Sequence, residues 1–321
     1  MPIIPVILGP TASGKSALGV ALAHELDRRG LGPGEIVTAD AFQVYRGLDV
    51  GTAKPTPDER AGVPHHLIDI VDPRERFSVH DWLRHAETAV ADISERGGVP
   101  IVVGGTNLYV KAFLEGLFEG PDPDEALRGE LRALSQPARR AELERVDPPA
   151  AARIDPNDTR RTIRALEVFR QTGVPISTFQ QQWDRARSLR PGVRIVGLRW
   201  DRDALAARIN ARVRAMIDAG LVEEAKALWK SGQLGTQSGA ALGYKQLIAS
   251  FQGDCTLDDA IERIKIETRR FAKNQRTWLR RLRSIPGGIW IDAAGLKPEE
   301  ISQVVANKIL TPMDRAAAPE K

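Results

Sequence analysis

The chain has 321 residues, 42% hydrophobic and 27% charged, enough to bury a large core and to divide into two domains. No apolar run approaches the ~20 residues that span a bilayer, no basic leader with a cleavage site precedes the first apolar run, and a lone cysteine, Cys255, excludes an internal disulfide and a thiolate zinc site; a cytoplasmic protein with no membrane partner is expected. The net charge of +4 is uneven, with nine arginines against four acids over residues 153–194 and nine lysines or arginines against Glu267 alone over 263–283, stretches that point to polyanion contacts or to solvated helix faces.

In chain order, the continuous apolar run 3–8 predicts a strand buried on both faces. Gly9-Pro10-Thr11-Ala12-Ser13-Gly14-Lys15-Ser16 follows and leads into a helix over 17–26. Strand, glycine-rich turn and helix are the context that a G-x4-G-K-S phosphate loop requires. Backbone N–H groups and the positive helix end cradle phosphate oxygens. Lys15 would neutralise the terminal phosphate, and the Ser16 hydroxyl would hold Mg²⁺. The loop predicts a bound polyphosphate, and leaves open which one and what reacts.

Residues 35–39 read as a second strand that delivers Asp40 at its C-terminal end, the edge where open α/β sheets place ligands. Residues 43–55 are polar and glycine-punctuated, a loop. A short strand is expected over 63–70, and a helix over 78–96 with Ser78 as N-cap and Asp81 completing the cap. Residues 100–103 form a buried strand ending in Gly104-Gly105-Thr106, followed by a helix over 108–117. This alternation predicts a parallel, doubly wound sheet. Residues 125–183 carry amphipathic helical stretches broken at Pro137, Pro148, Pro149, Pro156 and Gly173, with no strand. Residues 193–198 restore a strand. Helices are expected at 203–219, 221–230, 245–251, 257–282 and 298–309, with Trp290 in a short apolar piece and a disordered tail beyond. The expected organisation is a P-loop NTPase-like parallel sheet core with helices on both faces (1–119 and 190–312), an all-helical insertion (120–189) and a tail (313–321).

Asp40, expected on the strand beside the phosphate loop, can bind Mg²⁺, orient a nucleophile, accept a proton or simply cap a turn. The strand at 100–103 ends in glycines and Thr106, where an ATP-hydrolysing P-loop protein commonly carries an acidic metal ligand. The glycines admit close backbone approach and Thr106 offers one hydrogen bond, which argues against a motor or switch. His65 and His66, adjacent in a strand, point to opposite faces and cannot chelate one ion; with Asp69 nearby, a structural role is still expected. Tyr45, Tyr109 and Trp183 could stack on bases or belong to the core. Arg160, Arg161 and Arg164 lie on a helix starting near Asp158. Arg161 and Arg164 share a face, while Leu166 and Phe169 supply an apolar side. Arg208 and Arg212, four apart, could reach back to a diphosphate as lid arginines do. Residues 240–245 form a loop entering a helix, where Gly243 permits close approach.

Together these segments resemble the tRNA dimethylallyltransferase family. The resemblance covers residues 3–283 and is carried by GPTASGKS (9–16), DAFQVYRGLDVGTAKP (40–55), PHHLIDI (64–70), GGTNLY (104–109), DTRRTIRALEV (158–168), LGYK (242–245) and TRRFAKNQRTW (268–278). GTAKP and GGTNLY are far more specific than the phosphate loop. The resemblance implies transfer of a dimethylallyl group from dimethylallyl diphosphate to the N6 amine of the adenosine 3′-adjacent to the anticodon, with release of diphosphate. It implies tRNA, through its anticodon stem-loop, and dimethylallyl diphosphate as partners, Mg²⁺ as cofactor, and a monomer. Residues 9–16 with Arg208 and Arg212 would hold the diphosphate. Lys15, Asp40 and Thr106 would be catalytic, Asp40 taking the amine proton. Asp40, Ala41, Phe42, Gln43, Thr106, Arg128, Arg160, Arg161, Arg164, Ala240, Gly243, Tyr244 and Lys245 would contact tRNA. Three positions depart from the family pattern: Ala41 stands for a serine, Ala240 for a glutamine or arginine, and Asn274 for a basic residue. Competing readings are a transferase acting on free adenine nucleotides, a small-molecule kinase with the insertion as its lid, and a non-catalytic RNA-binding protein. The basic insertion and C-terminal helix favour a polynucleotide acceptor; intact Lys15, Ser16 and Asp40 favour an active enzyme.

Overall fold

The computed structural model describes residues 3–118, 120–185 and 189–310; the expected tail and the Trp183 side chain lie outside the described residues. The chain parts into two compact units, Met1–Ala112 with Pro191–Lys321, and Phe113–Arg190. The first segment runs β1 (Ile4–Leu8), α1 (Lys15–Arg28), β2 (Gly34–Ala39), α2 (Pro57–Arg60), β3 (His65–His66), α3 (Val79–Glu95), β4 (Val99–Gly104) and α4 (Asn107–Glu115). Next come α5 (Glu125–Ala133), α6 (Gln136–Val146), α7 (Pro148–Arg153), α8 (Thr159–Thr172) and α9 (Ile176–Arg185). The chain then continues through β5 (Val193–Arg199), α10 (Arg202–Asp218), α11 (Leu221–Lys230), α12 (Tyr244–Phe251), α13 (Leu257–Leu282), β6 (Ile289–Asp292) and α14 (Pro298–Leu310).

The six strands form one parallel sheet in the order β3-β2-β4-β1-β5-β6. Two expectations are corrected here. Asp40 does not follow the strand beside the phosphate loop, because β4 lies between β2 and β1. The strand expected over 63–70 shrinks to His65–His66. Leu67 at φ 63° and Asp69 at φ 57° turn the backbone into the left-handed region, and the chain leaves the sheet edge to bond with Gln43 and Val44.

One face of the sheet is covered by α1 and α14, whose Leu18, Leu22, Leu26, Val305 and Ile309 pack with Ile7, Ile36, Ile101 and Val103 in one buried cluster. Burying each such aliphatic side chain contributes roughly 1.5–3 kcal/mol. α3 begins in the expected cap, Ser78 accepting the Asp81 N–H while the Asp81 carboxylate accepts the Ser78 N–H. Its Trp82 is buried, donates to the Thr38 carbonyl at 2.9 Å, and stacks on Tyr109 at 4.7 Å. Tyr109 and Tyr45 are thus core residues, not platforms for bases; the Tyr45 hydroxyl donates to the Glu75 carbonyl.

The second unit is helical, as its lack of alternating apolar runs requires. Ile163, Leu166 and Val168 of α8 pack with Leu131, Leu143, Ala150 and Ile176. Pro137, Pro148 and Pro149, which interrupt the sequence pattern, stand in first turns of α6 and α7, where a missing N–H costs no intrahelical bond.

Candidate active site

The phosphate loop has the shape its residues dictate. A Cβ at Gly9 would lie 2.5 Å from Ser13 Oγ, and Gly14, the N-cap of α1, has φ 90°. Ala12 takes φ 61° and buries its methyl with Leu205, Ile209 and Ala272. Trp200 donates to the Ser13 carbonyl and Arg208 to the Ala12 carbonyl, each at 3.0 Å, with the Arg208 guanidinium over the Trp200 ring at 4.4 Å. Arg208 therefore braces the loop from outside, through its backbone.

Beside the loop lies a pocket lined by Thr11, Lys15, Ser16, Thr38, Asp40, Gln43, Thr52, His65, Gly104, Gly105, Arg212, Phe271 and Gln275, among others. Lys15 and Asp40 reach one pocket although β4 separates their strands, because β4 ends without side chains. A Cβ at Gly104 would come within 2.3 Å of the Ala39 carbonyl oxygen. Burial, and then the facing Arg212 guanidinium, pull the Lys15 ammonium down to about 7, with Asp40 opposing the shift. Its Nζ donates to the Pro10 carbonyl at 2.8 Å. Burial likewise lowers Arg212, opposed by Asp40 and Glu59. Two cations in a partly dry cleft, Arg212 depressing the basicity of Lys15 and the Asp40 carboxylate lining the same pocket, form an anion site.

Asp40 Oδ1 accepts the N–H groups of Phe42 and Gln43 at 2.9 and 3.3 Å. Among the described residues Oδ2 accepts no hydrogen bond, which leaves it for a ligand. The Thr106 hydroxyl accepts the Ala41 N–H at 3.0 Å, which ties the turn after β4 to the residue after Asp40. Thr106 itself is not among the residues that line the pocket, although the adjacent Gly104 and Gly105 are. Gln43 is buried and donates to the Thr52 and Ala53 carbonyls, presenting a fixed wall. The 43–55 loop is fastened by Glu224, whose carboxylate accepts the N–H groups of Asp49, Val50 and Gly51 and the Tyr244 hydroxyl proton. Lys54 adds ion pairs to Asp49 and Asp69. Asp69 thus serves Lys54, and His66 serves Glu35 at 2.7 Å, so no site forms around the two histidines. His65 does line the pocket. Its Nδ1 faces the Val63 carbonyl at 2.8 Å and so carries the proton, leaving Nε2 a buried acceptor with no partner among the described residues.

The tRNA-contact expectations divide. Ala240, at the end of a short 3-10 turn, and Lys245 are exposed, and Gly243 takes φ 97°. Tyr244 is corrected: its side chain is fully buried, its hydroxyl is spent on Glu224, and a Cβ at Gly51 would strike its ring at 2.5 Å. It supports the loop and presents no surface to RNA. In the second unit Arg160 and Arg161 are exposed on α8. Arg161 and Arg164 do not share a fate: Arg164 turns inward to the fully buried Glu167 at 2.7 Å, where Arg128 joins it with Nε at 2.9 Å and Nη2 at 3.0 Å. Sequence reasoning missed Gln275, Glu224, Thr52 and Phe271. Thr52, Phe271 and Gln275 lie inside the GTAKP and TRRFAKNQRTW segments, and Gln275 left a further signal as a polar residue on the inward face of α13; Glu224 left none.

A parallel α/β sheet, a phosphate loop at the end of β1 and a cationic cleft facing a free carboxylate oxygen define a phosphate-loop enzyme of the group-transfer class. The sequence model described as IPP transferase matches residues 43–282. The tRNA dimethylallyltransferase of Geobacillus kaustophilus is 46% identical over 95% of this chain and 97% of its own, and tRNA dimethylallyltransferase 2 of Geotalea uraniireducens is 48% identical over 85% and 87%. The crystal structure of the full-length tRNA isopentenylpyrophosphate transferase of Bacillus halodurans matches with a TM-score of 0.69 at 40% identity, covering 96% of this chain and 97% of that one. A eukaryotic dimethylallyltransferase acting on tRNA matches with a TM-score of 0.82 at 26% identity, covering 99% and 82%. The chain belongs to the tRNA dimethylallyltransferase family of prenyltransferases.

Proposed function

We propose that the protein transfers a dimethylallyl group from dimethylallyl diphosphate to the N6 amine of the adenosine 3′-adjacent to the anticodon of tRNA, acting as a cytoplasmic monomer. The observation that carries this reading is the convergence of Lys15 and Arg212 with Asp40 in one pocket, with no acidic residue at the end of β4. The first pair suits a leaving diphosphate; the carboxylate suits an amine. The N6 nitrogen attacks the allylic carbon, the carbon–oxygen bond breaks with its electron pair leaving on diphosphate, and the N6 proton passes to Asp40. The exocyclic amine is a poor nucleophile because its lone pair is delocalised into the ring, so accepting its proton as the bond forms lowers the barrier. The loop amides, Lys15 and Arg212 meet the charge that develops on diphosphate. Thr106 would orient the substrate near the reacting carbon. Reaching N6 requires the base to leave its stack, at modest cost in a loop.

Mg²⁺ fits these residues. Among the described residues no cluster of three acidic, histidine or cysteine side chains could cage a metal, but Mg²⁺ at phosphate sites keeps waters and takes few protein ligands. Ser16, exposed at the start of α1, would hold it, with the Asp40 carboxylate nearby in the pocket; when bound it would neutralise diphosphate oxygens. For the RNA, the exposed Arg160 and Arg161 of α8 and the exposed Lys245 of α12 suit phosphate contacts.

The test incubates the protein with labelled dimethylallyl diphosphate and Mg²⁺, and separately tRNA or AMP. Label on tRNA is expected. Label on AMP alone would establish the free-nucleotide reading, and ATP-dependent phosphorylation of a small acceptor the kinase reading.

A further inference from the structure

Gln275 breaks the pattern of the helix that carries it. The inward face of α13 runs through Ala260, Ile264, Ala272, Leu279 and Leu282, and Gln275 sits among them at 2% exposure. A buried amide must find partners or destabilise the fold, and this one finds them on the backbone of two separate loops. Its Oε1 accepts the Thr11 N–H of the phosphate loop at 2.8 Å, and its Nε2 donates to the Gly105 carbonyl, just beyond β4, at 2.7 Å. The partners dictate the orientation of the amide, since a flip would set NH2 against N–H and oxygen against oxygen. Gly105 has no Cβ where one would lie 2.6 Å from Gln275 Nε2; the next obstacles, Gly9 O and Lys15 Nζ, stand back at 3.4 and 3.5 Å.

We infer that Gln275 is a positioning residue that locks the phosphate loop to the turn presenting Thr106. One side chain thereby sets the register between the half of the pocket that holds the leaving group and the half that holds the acceptor. Gly105 is the space this lock needs. The inference rests on the proposed grip of the loop on a diphosphate. Positioning groups matter here because a small displacement between reacting partners costs rate out of proportion to its size.

The test is a cycle on the two positions. G105A, Q275A and the double variant are compared with the unaltered protein in affinity for inorganic diphosphate by calorimetry, in donor KM, in kcat with saturating tRNA, and in thermal unfolding. G105A is expected to evict the amide, and both single variants to weaken diphosphate binding by about tenfold. In the double variant the new methyl has room, so its loss should not exceed that of Q275A. Q275M, which fills the same space without either hydrogen bond, is expected to match Q275A. Multiplicative losses in the double variant, or single variants that bind diphosphate as the unaltered protein does, would overturn the inference. A lowered Tm with unchanged diphosphate affinity and KM would reduce Gln275 to a packing residue. Failure of the unaltered protein to bind inorganic diphosphate would instead strike the proposed function, and the inference with it.

Discussion

The two units use positive charge in opposite ways. In the helical unit Arg128 and Arg164 converge on Glu167, whose fully buried carboxylate also accepts the Asp124 N–H. Both cations there are hydrogen-bonded directly to that one carboxylate, and the group is a structural tie. In the sheet unit Lys15 and Arg212 face each other with Asp40 the carboxylate near both, and both are held below their ordinary basicity by burial, Lys15 also by the facing Arg212. Cations that line a cleft and form no ion pair among the described residues are in place for a polyanion; cations hydrogen-bonded to a buried carboxylate hold a fold together. Arginine content alone does not separate the two.

That contrast can be broken from either side. Asp40→Asn, which keeps an acceptor for the Phe42 and Gln43 N–H groups, is expected to lower turnover by about 10²–10⁴-fold while diphosphate binding survives in calorimetry; retained turnover would remove Asp40 as the base. Lys15→Met is expected to lower turnover by about 10²–10³-fold and, unlike Asp40→Asn, to weaken diphosphate binding as well. In the helical unit, Glu167→Leu strands two guanidinium groups and is expected to destabilise that unit by about 3–5 kcal/mol, read by urea unfolding; a small change would mean that the two arginines relax into solvent. Arg161→Glu, on the exposed face, should leave unfolding unchanged but weaken tRNA binding and reduce its salt slope by about one, measured as log affinity against log salt.

The mildest effect concerns pH. Lys15 is lowered to about 7, so in the unliganded fold it is largely neutral above that pH, while an unfolded lysine stays protonated up to its ordinary range near about 10.4. Between those limits the unfolded state binds more protons, so this group makes stability rise with pH from about 7 to about 10, and contributes no slope below about 7. Diphosphate reverses the depression by supplying negative charge. Binding above about pH 7 should therefore take up a proton, and weaken as pH rises. Calorimetry in two buffers of different ionisation enthalpy measures that uptake; none at about pH 8 would mean that Lys15 is already charged.

Much of this protein is legible in its residues. The buried strands β1 and β4 announce themselves as unbroken apolar runs, because a parallel sheet covered on both faces tolerates little else, and β2 and β5 show as shorter apolar stretches broken by Glu35 and Arg194. The phosphate loop is local chemistry, a few consecutive residues whose glycines and lysine act through their own backbone and charge, and Ser78 with Asp81 is the same kind of signal. Tertiary structure decided what depends on partners distant in the chain. Strand order placed β4 between β2 and β1, and the glycines at its end then let Asp40 meet Lys15. Arg161 and Arg164, three residues apart, took opposite roles because Glu167 is buried beside only one of them. Tyr244 became a support because Gly51 gives its ring room, and Gln275 a clamp because α13 passes over two loops at once. A side chain's chemistry is set by its type; whether it faces water, a ligand or a buried partner is set by contacts that no local stretch of sequence contains.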